Sequence, residues 1–188
     1  MVSKEFVDKK TEEIKKELLS IERPGMKELV EYMERKGFFT APASTRFHGC
    51  FRGGLLIHSY FLYIQFMKHC QSYKLEFPKE SMLICAFGHD LCKAGAYIEA
   101  GPGRYKWNNY NGKGHATLSL DRLKKFIELK PEEEAIIKYH MGMYGTTEFG
   151  GARGEYSIKE LVDAYNNVKL AKLFYFCDDM STQFLEKE

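Results

Sequence analysis

The chain has 188 residues, 44% of them hydrophobic and 14% aromatic, which is enough to fill one core and too apolar for a disordered segment. With 28 basic and 26 acidic residues its formal charge is +2, so no global field draws it to nucleic acid or to a membrane surface. Five cysteines (Cys50, Cys70, Cys85, Cys92 and Cys177) form no C-x-x-C pair, and the opening Met-Val-Ser-Lys-Glu-Phe is charged where a signal peptide needs apolar residues; free thiols in a cytoplasmic protein are expected.

Phe6, Val7, Ile14, Leu18 and Leu19 among lysines and glutamates predict an amphipathic helix from Lys4 to Ile21, stopped by Arg23-Pro24-Gly25. A second helix spans Met26 to Arg35, with Leu29, Val30 and Met33 inward and Gly37 after its end. Phe38 to Gly54, rich in glycine, serine and threonine, reads as an ordered functional loop. Leu55 to about His69 is apolar nearly all round, so it should form a central helix, and His58, Ser59 and Gln65 interrupt its greasiest part, arguing against a membrane span. Lys79 to Lys93 reads as a second buried helix. Aromatic arms around Gly101-Pro102-Gly103 predict a β-hairpin within Ala96 to Tyr110.

A helix from His115 with Leu118, Leu120, Leu123, Phe126 and Ile127 inward follows, and Pro131 before three glutamates marks the start of another, carrying Ile136, Ile137 and His140. Met141 to Tyr156 is a glycine-rich loop, and helices at about Ile158 to Tyr165 and Val168 to Phe184 close the chain. The expectation is an all-α protein with one small β-hairpin insertion and no internal repeat or linker.

Chemistry concentrates in His58, His89-Asp90, His115, His140 and Asp178-Asp179. Imidazole and carboxylate are the donors that hold divalent transition metals. His58 has Leu55, Phe61 and Leu62 at helical spacing and so points inward, as does His140 beside Ile136 and Ile137; either alone reads as a hydrogen-bonded core residue. Asp90 at the end of an apolar helix differs, because a buried carboxylate needs a cationic partner or a metal. His69 stands in no such context.

The ordered series resembles the HD-domain superfamily of metal-dependent phosphohydrolases. Arg52-Gly53-Gly54-Leu55-Leu56-Ile57-His58 is similar to the family's R-G-G-L-x-x-H segment and His89-Asp90-Leu91-Cys92-Lys93 to its H-D-x-x-K, and the likeness spans Phe38 to about Thr182. It implies an HD helical domain over residues 38–188; residues 1–37 carry no family motif, and their apolar periodicity makes them helices packed on that domain in one globular unit. It also implies a first metal on His58, His89, Asp90 and Asp179, and a second on His115 and His140 with Asp90 bridging. The family pattern favours Asp179, whereas helical spacing with Ala171 and Phe174 turns Asp178 inward; the expectation taken here is Asp179. One or two divalent ions among manganese, iron, nickel, cobalt and zinc suit such donors.

The activity implied is hydrolysis of a phosphate ester, most of all of a nucleotide, by a metal-bound hydroxide. Asp90 and Lys93 are the candidate catalytic residues, with Lys93, Arg52 and His48 as candidate phosphate contacts. Tyr97, Tyr105 and Trp107 of the hairpin, and Tyr144, Phe149, Arg153 and Tyr156 of the later loop, offer surfaces for a base. Alternatives are 3′-to-5′ cleavage at a nucleic-acid end, di-iron oxygen chemistry, and a catalytically silent binding module. No membrane partner is expected, and monomer or dimer is compatible with the charge.

Overall fold

The computed structural model describes residues 2–101, 103–108 and 114–185, and over these the protein is all-α with one two-stranded hairpin. Helices α1 (Lys4–Leu19) and α2 (Met26–Arg35) precede the central α3 (Gly54–Ser72) and α4 (Lys79–Gly88). Strands β1 (Tyr97–Glu99) and β2 (Tyr105–Trp107) pair antiparallel with Tyr97 opposite Trp107. Then come α5 (His115–Leu123), α6 (Pro131–Lys138), α7 (Ile158–Asn167) and α8 (Lys169–Met180), the last continued by a π turn at Ser181–Leu185. The hairpin's expected end at Tyr110 and the tip residue Pro102 lie outside the described residues.

Helix α3 is the axle. Its apolar residues leave it no solvent stripe, and Leu55, Leu56, Ile57, Leu62 and Phe66 are buried against α4, α8 and α1. The same core takes in Val7, Ile14 and Leu18 of α1 and Leu29, Val30 and Met33 of α2. The start of α3 is set by two glycines: Gly53 adopts a left-handed φ of 87°, and a side chain on Gly54 would collide with the Gly49 carbonyl. Only glycine there lets the 43–49 loop lie across the helix end.

Two expected boundaries are corrected. Helix α4 does not run to Lys93; it stops at Gly88, and Leu91–Lys93 is a separate 3₁₀ turn. The turn's backbone groups are taken by α5 instead: Arg122 donates to the carbonyls of Leu91 (2.8 Å) and Ala94 (2.9 Å), and the Cys92 amide donates to Ser119 Oγ (3.1 Å). Helix α6 ends before His140, and the His140 ring nitrogen Nδ1 sits 2.7 Å from the Ile137 carbonyl. His89 ends α4 in the same way, with Nδ1 2.9 Å from the Ala86 carbonyl. In both, an imidazole satisfies a last-turn carbonyl and the chain turns away.

A buried ion-pair node ties the N-terminal segment to the rest. Glu133 of α6, fully buried, accepts from both terminal guanidinium nitrogens of Arg23 at 2.7 and 2.9 Å and from the Lys130 amide at 2.8 Å, while Arg23 also reaches Glu80 at 3.0 Å. Among the described residues, no helix is long and apolar enough to cross a membrane.

Candidate metal centre

Four structural elements deliver their polar residues to one buried point. His58 lies one turn into α3, His89 and Asp90 follow the end of α4, His140 follows the end of α6, and Asp178 is in the last turns of α8. His58 Nε2 is 3.2 Å from His89 Nε2 and 3.2 Å from Asp178 Oδ1, and His89 Nε2 is 3.3 Å from Asp90 Oδ2. His58 Nε2 lies 3.8 Å from Asp90 Oδ2, and His140 Nε2 3.9 Å from Asp90 Oδ1. His58, His89, Asp90 and His140 are each at most 3% exposed.

These separations suit an ion. Donors at about 2.0–2.2 Å from a common metal stand about 2.8–3.6 Å apart in tetrahedral or octahedral geometry, and the three shortest spacings fall in that range. The tautomers agree. With Nδ1–H given to a backbone carbonyl, His89 and His140 each keep a lone pair on Nε2. The His140 Nε2 is buried with no hydrogen-bond partner among the described residues, a state that an ion would relieve. Buried His, Asp and Cys groups therefore have the spacing to hold a metal ion: His58, His89 and Asp178 form one such set, His89, Asp90 and His140 another, and Asp90, Cys92 and His115 a third.

No family model, curated protein or solved structure matches the chain.

Electrostatics keep the carboxylates charged. Burial pushes the Asp90 carboxyl up, but Lys93, with Nζ 2.7 Å from Oδ2, and His89 outweigh it and hold the group well below the usual range. Burial likewise opposes ionisation of Asp178, yet the hydrogen bond with His58 and the neighbouring imidazoles bring it to about 2. Burial and the Lys93 charge lower His115 to about 4, and burial followed by His89 lowers His140. Both are neutral imidazoles at pH 7, the form that binds metals.

The expected Asp179 is a correction. It is exposed, and its helical neighbour Asp178 makes the contact to His58. Ala171, Phe174 and Asp178 form the inner stripe of α8, with Ala171 and Phe174 fully buried, so turning Asp179 inward would bring that stripe out. His115 and His140, expected to share an ion, fall in different donor sets, linked through Asp90. His48 is half-buried with its ring 5.3 Å from that of His58, beside the cluster. Arg52 is exposed and forms no wall of the cleft next to Lys93.

That cleft, about 280 Å³, has Lys93, Tyr97, Trp107, His115 and Arg153 among its walls. A second, about 250 Å³, shares His115 and Arg153 and adds Tyr144, Phe149 and Glu155. Tyr144 and Phe149 are largely exposed. Glu155 places its carboxylate on the first amides of α5, 3.0 Å from Ala116 N and 2.6 Å from Thr117 N, and so anchors the helix that begins with His115. The sequence offers Arg153 only as one of several loop residues and gives no signal for Glu155; both meet the start of α5 across long sequence separations that no local pattern encodes.

Proposed function

We propose that the protein is a metal-dependent phosphohydrolase of HD type that acts in the cytoplasm on a phosphate ester, most of all that of a nucleotide. The observation that carries this reading is Lys93. Its ammonium is paired with Asp90 inside the donor cluster and the residue also lines the cleft, so one residue joins a metal-type site to a place where an anion can sit.

His58, His89, Asp90 and Asp178 would hold the first ion, with His140 and His115 extending the set around Asp90. A divalent ion bound there supplies Lewis acidity, which lowers the pKa of water toward neutrality and offsets charge on a phosphoryl group. The chain's own groups do the rest. Lys93 and Arg153 place two positive charges around the cleft for a phosphate. Trp107 stands edge-on to both Tyr97 (centroids 4.9 Å apart) and His115 (5.4 Å), a braced aromatic wall against which a base can lie. The carbonyls of Ala86 and Ile137 hold His89 and His140 in one orientation.

The test is phosphate release from nucleoside mono-, di- and triphosphates and from short RNA and DNA, with Mn²⁺ and with chelator, for wild type and Asp90→Ala. Release that needs both the metal and Asp90 is expected. No release from any substrate by protein that carries stoichiometric metal would overturn hydrolysis and leave a binding module or oxygen chemistry.

A further inference from the structure

The family pattern pairs His115 with His140, but the fold gives His115 a different companion. Cys92 Sγ lies 3.5 Å from His115 Nδ1, and Asp90, Cys92 and His115 bring one donor atom each within 4.8 Å of one another. The thiol is 1% exposed and takes part in no disulfide.

Three residues on one face of α5 fix this arrangement. His115, Ser119 and Arg122, at positions i, i+4 and i+7, meet in turn the Cys92 sulfur, the Cys92 amide and the carbonyls of Leu91 and Ala94. The sulfur is thus held against the imidazole by backbone clamps on both sides, and Trp107 packs at a steep angle on the His115 ring, with centroids 5.4 Å apart.

The separation itself is informative. Bonds of about 2.3 Å to sulfur and about 2.0–2.1 Å to nitrogen put the two donors of a tetrahedral ion about 3.5 Å apart. A second observation points to an ion at Asp90: the buried Nε2 of His140, with no hydrogen-bond partner among the described residues, lies 3.9 Å from Asp90 Oδ1.

The geometry points to a second cation position on Asp90, Cys92 and His115, in which the Cys92 sulfur is a ligand. This inference rests on the reading of the cluster as a metal centre and changes what that centre selects. A sulfur donor favours zinc, cobalt or iron over manganese and magnesium, so the two positions differ in softness, one N/O and one N/O/S.

Cobalt(II) titration of the chelator-stripped full chain tests it without reference to activity. The expected result is a second equivalent of cobalt that brings a near-ultraviolet thiolate-to-cobalt charge-transfer band. In Cys92→Ser that band disappears and the equivalent binds at least about tenfold more weakly, while the first equivalent is retained. If Cys92→Ser does not fold, cobalt X-ray absorption on the wild type decides, since a sulfur shell at about 2.3 Å is required. Cobalt bound with no sulfur shell and no band, or a band that survives Cys92→Ser, overturns the sulfur ligand and leaves the metal centre standing. Failure to bind cobalt at all overturns both.

Discussion

Lys93 Nζ lies 2.7 Å from Asp90 Oδ2, in a pair with only 13% and 5% of the respective side chains exposed. Removing one partner of a buried pair costs about 3–5 kcal/mol, because the other charge stays buried and unmatched. A metal on Asp90 supplies a competing positive charge. Lys93→Met is therefore expected to lower the urea midpoint strongly in chelator and much less with metal bound. Equal destabilisation in both would sever the link between Lys93 and the cluster. On the proposed phosphohydrolase reading, loss of the ammonium from the metal-loaded protein should reduce kcat by about 10²–10³-fold, as expected for a group that stabilises developing charge.

Asp178 and Asp179 make the second test. Asp178→Asn should weaken metal binding by more than the ~10–100-fold that loss of an outer-shell partner typically costs, whereas Asp179→Asn should leave affinity within a few-fold of wild type. Calorimetric titration of both variants with zinc reads this directly. The reverse order would mean that α8 rotates when an ion binds.

The same pair shows how far the sequence is legible. Spacing along α8 already turned Asp178 inward with Ala171 and Phe174, because a helix that buries one stripe has no freedom to show two adjacent carboxylates to the same point. The HD-type register points one residue further, to Asp179, and the fold follows the spacing instead. Helices and the hairpin were readable for the usual reason, apolar periodicity bounded by Pro and Gly. The end of α4 was not, since Arg122 and Ser119 of α5 take the backbone groups of residues 91–94, and nothing within that segment records it. Cys92 was legible only as a free thiol, and its place beside His115 comes from the packing of α5.

Acid should loosen the N-terminal segment first. Burial raises the Glu133 carboxyl, but the Arg23 hydrogen bonds outweigh it, so its pKa in the folded state lies below 4.5. A depressed carboxylate contributes stability above its unfolded pKa and loses it as pH falls through the folded value. The wild type is therefore expected to lose stability below about pH 4.5, and Glu133→Gln to show a shallower loss over that window. At pH 7 the variant should be destabilised by about 1–3 kcal/mol, since Arg23 keeps Glu80. Urea midpoints from pH 7 to 3 measure both; identical slopes would show that Glu133 does not control this transition.

Trp107 is the single tryptophan of the chain and lines the Lys93 cleft, so its fluorescence reports occupancy of that cleft without turnover. Its indole N–H is buried with no hydrogen-bond partner among the described residues, and a ligand that rearranges its surroundings would change its emission. A nucleoside monophosphate should quench the emission in chelator-treated protein, where hydrolysis cannot interfere. Arg153→Gln should weaken that binding by about 10–100-fold, the equivalent of one charge-assisted hydrogen bond. The unphosphorylated nucleoside should be insensitive to the substitution, because only the phosphate can engage the guanidinium. Quenching by the nucleoside and the nucleotide alike, unchanged in Arg153→Gln, would place the base in the cleft and the phosphate elsewhere. Quenching by inorganic phosphate alone, with no gain from the base, would restrict the cleft to the anion and move the nucleotide reading toward simpler phosphate esters.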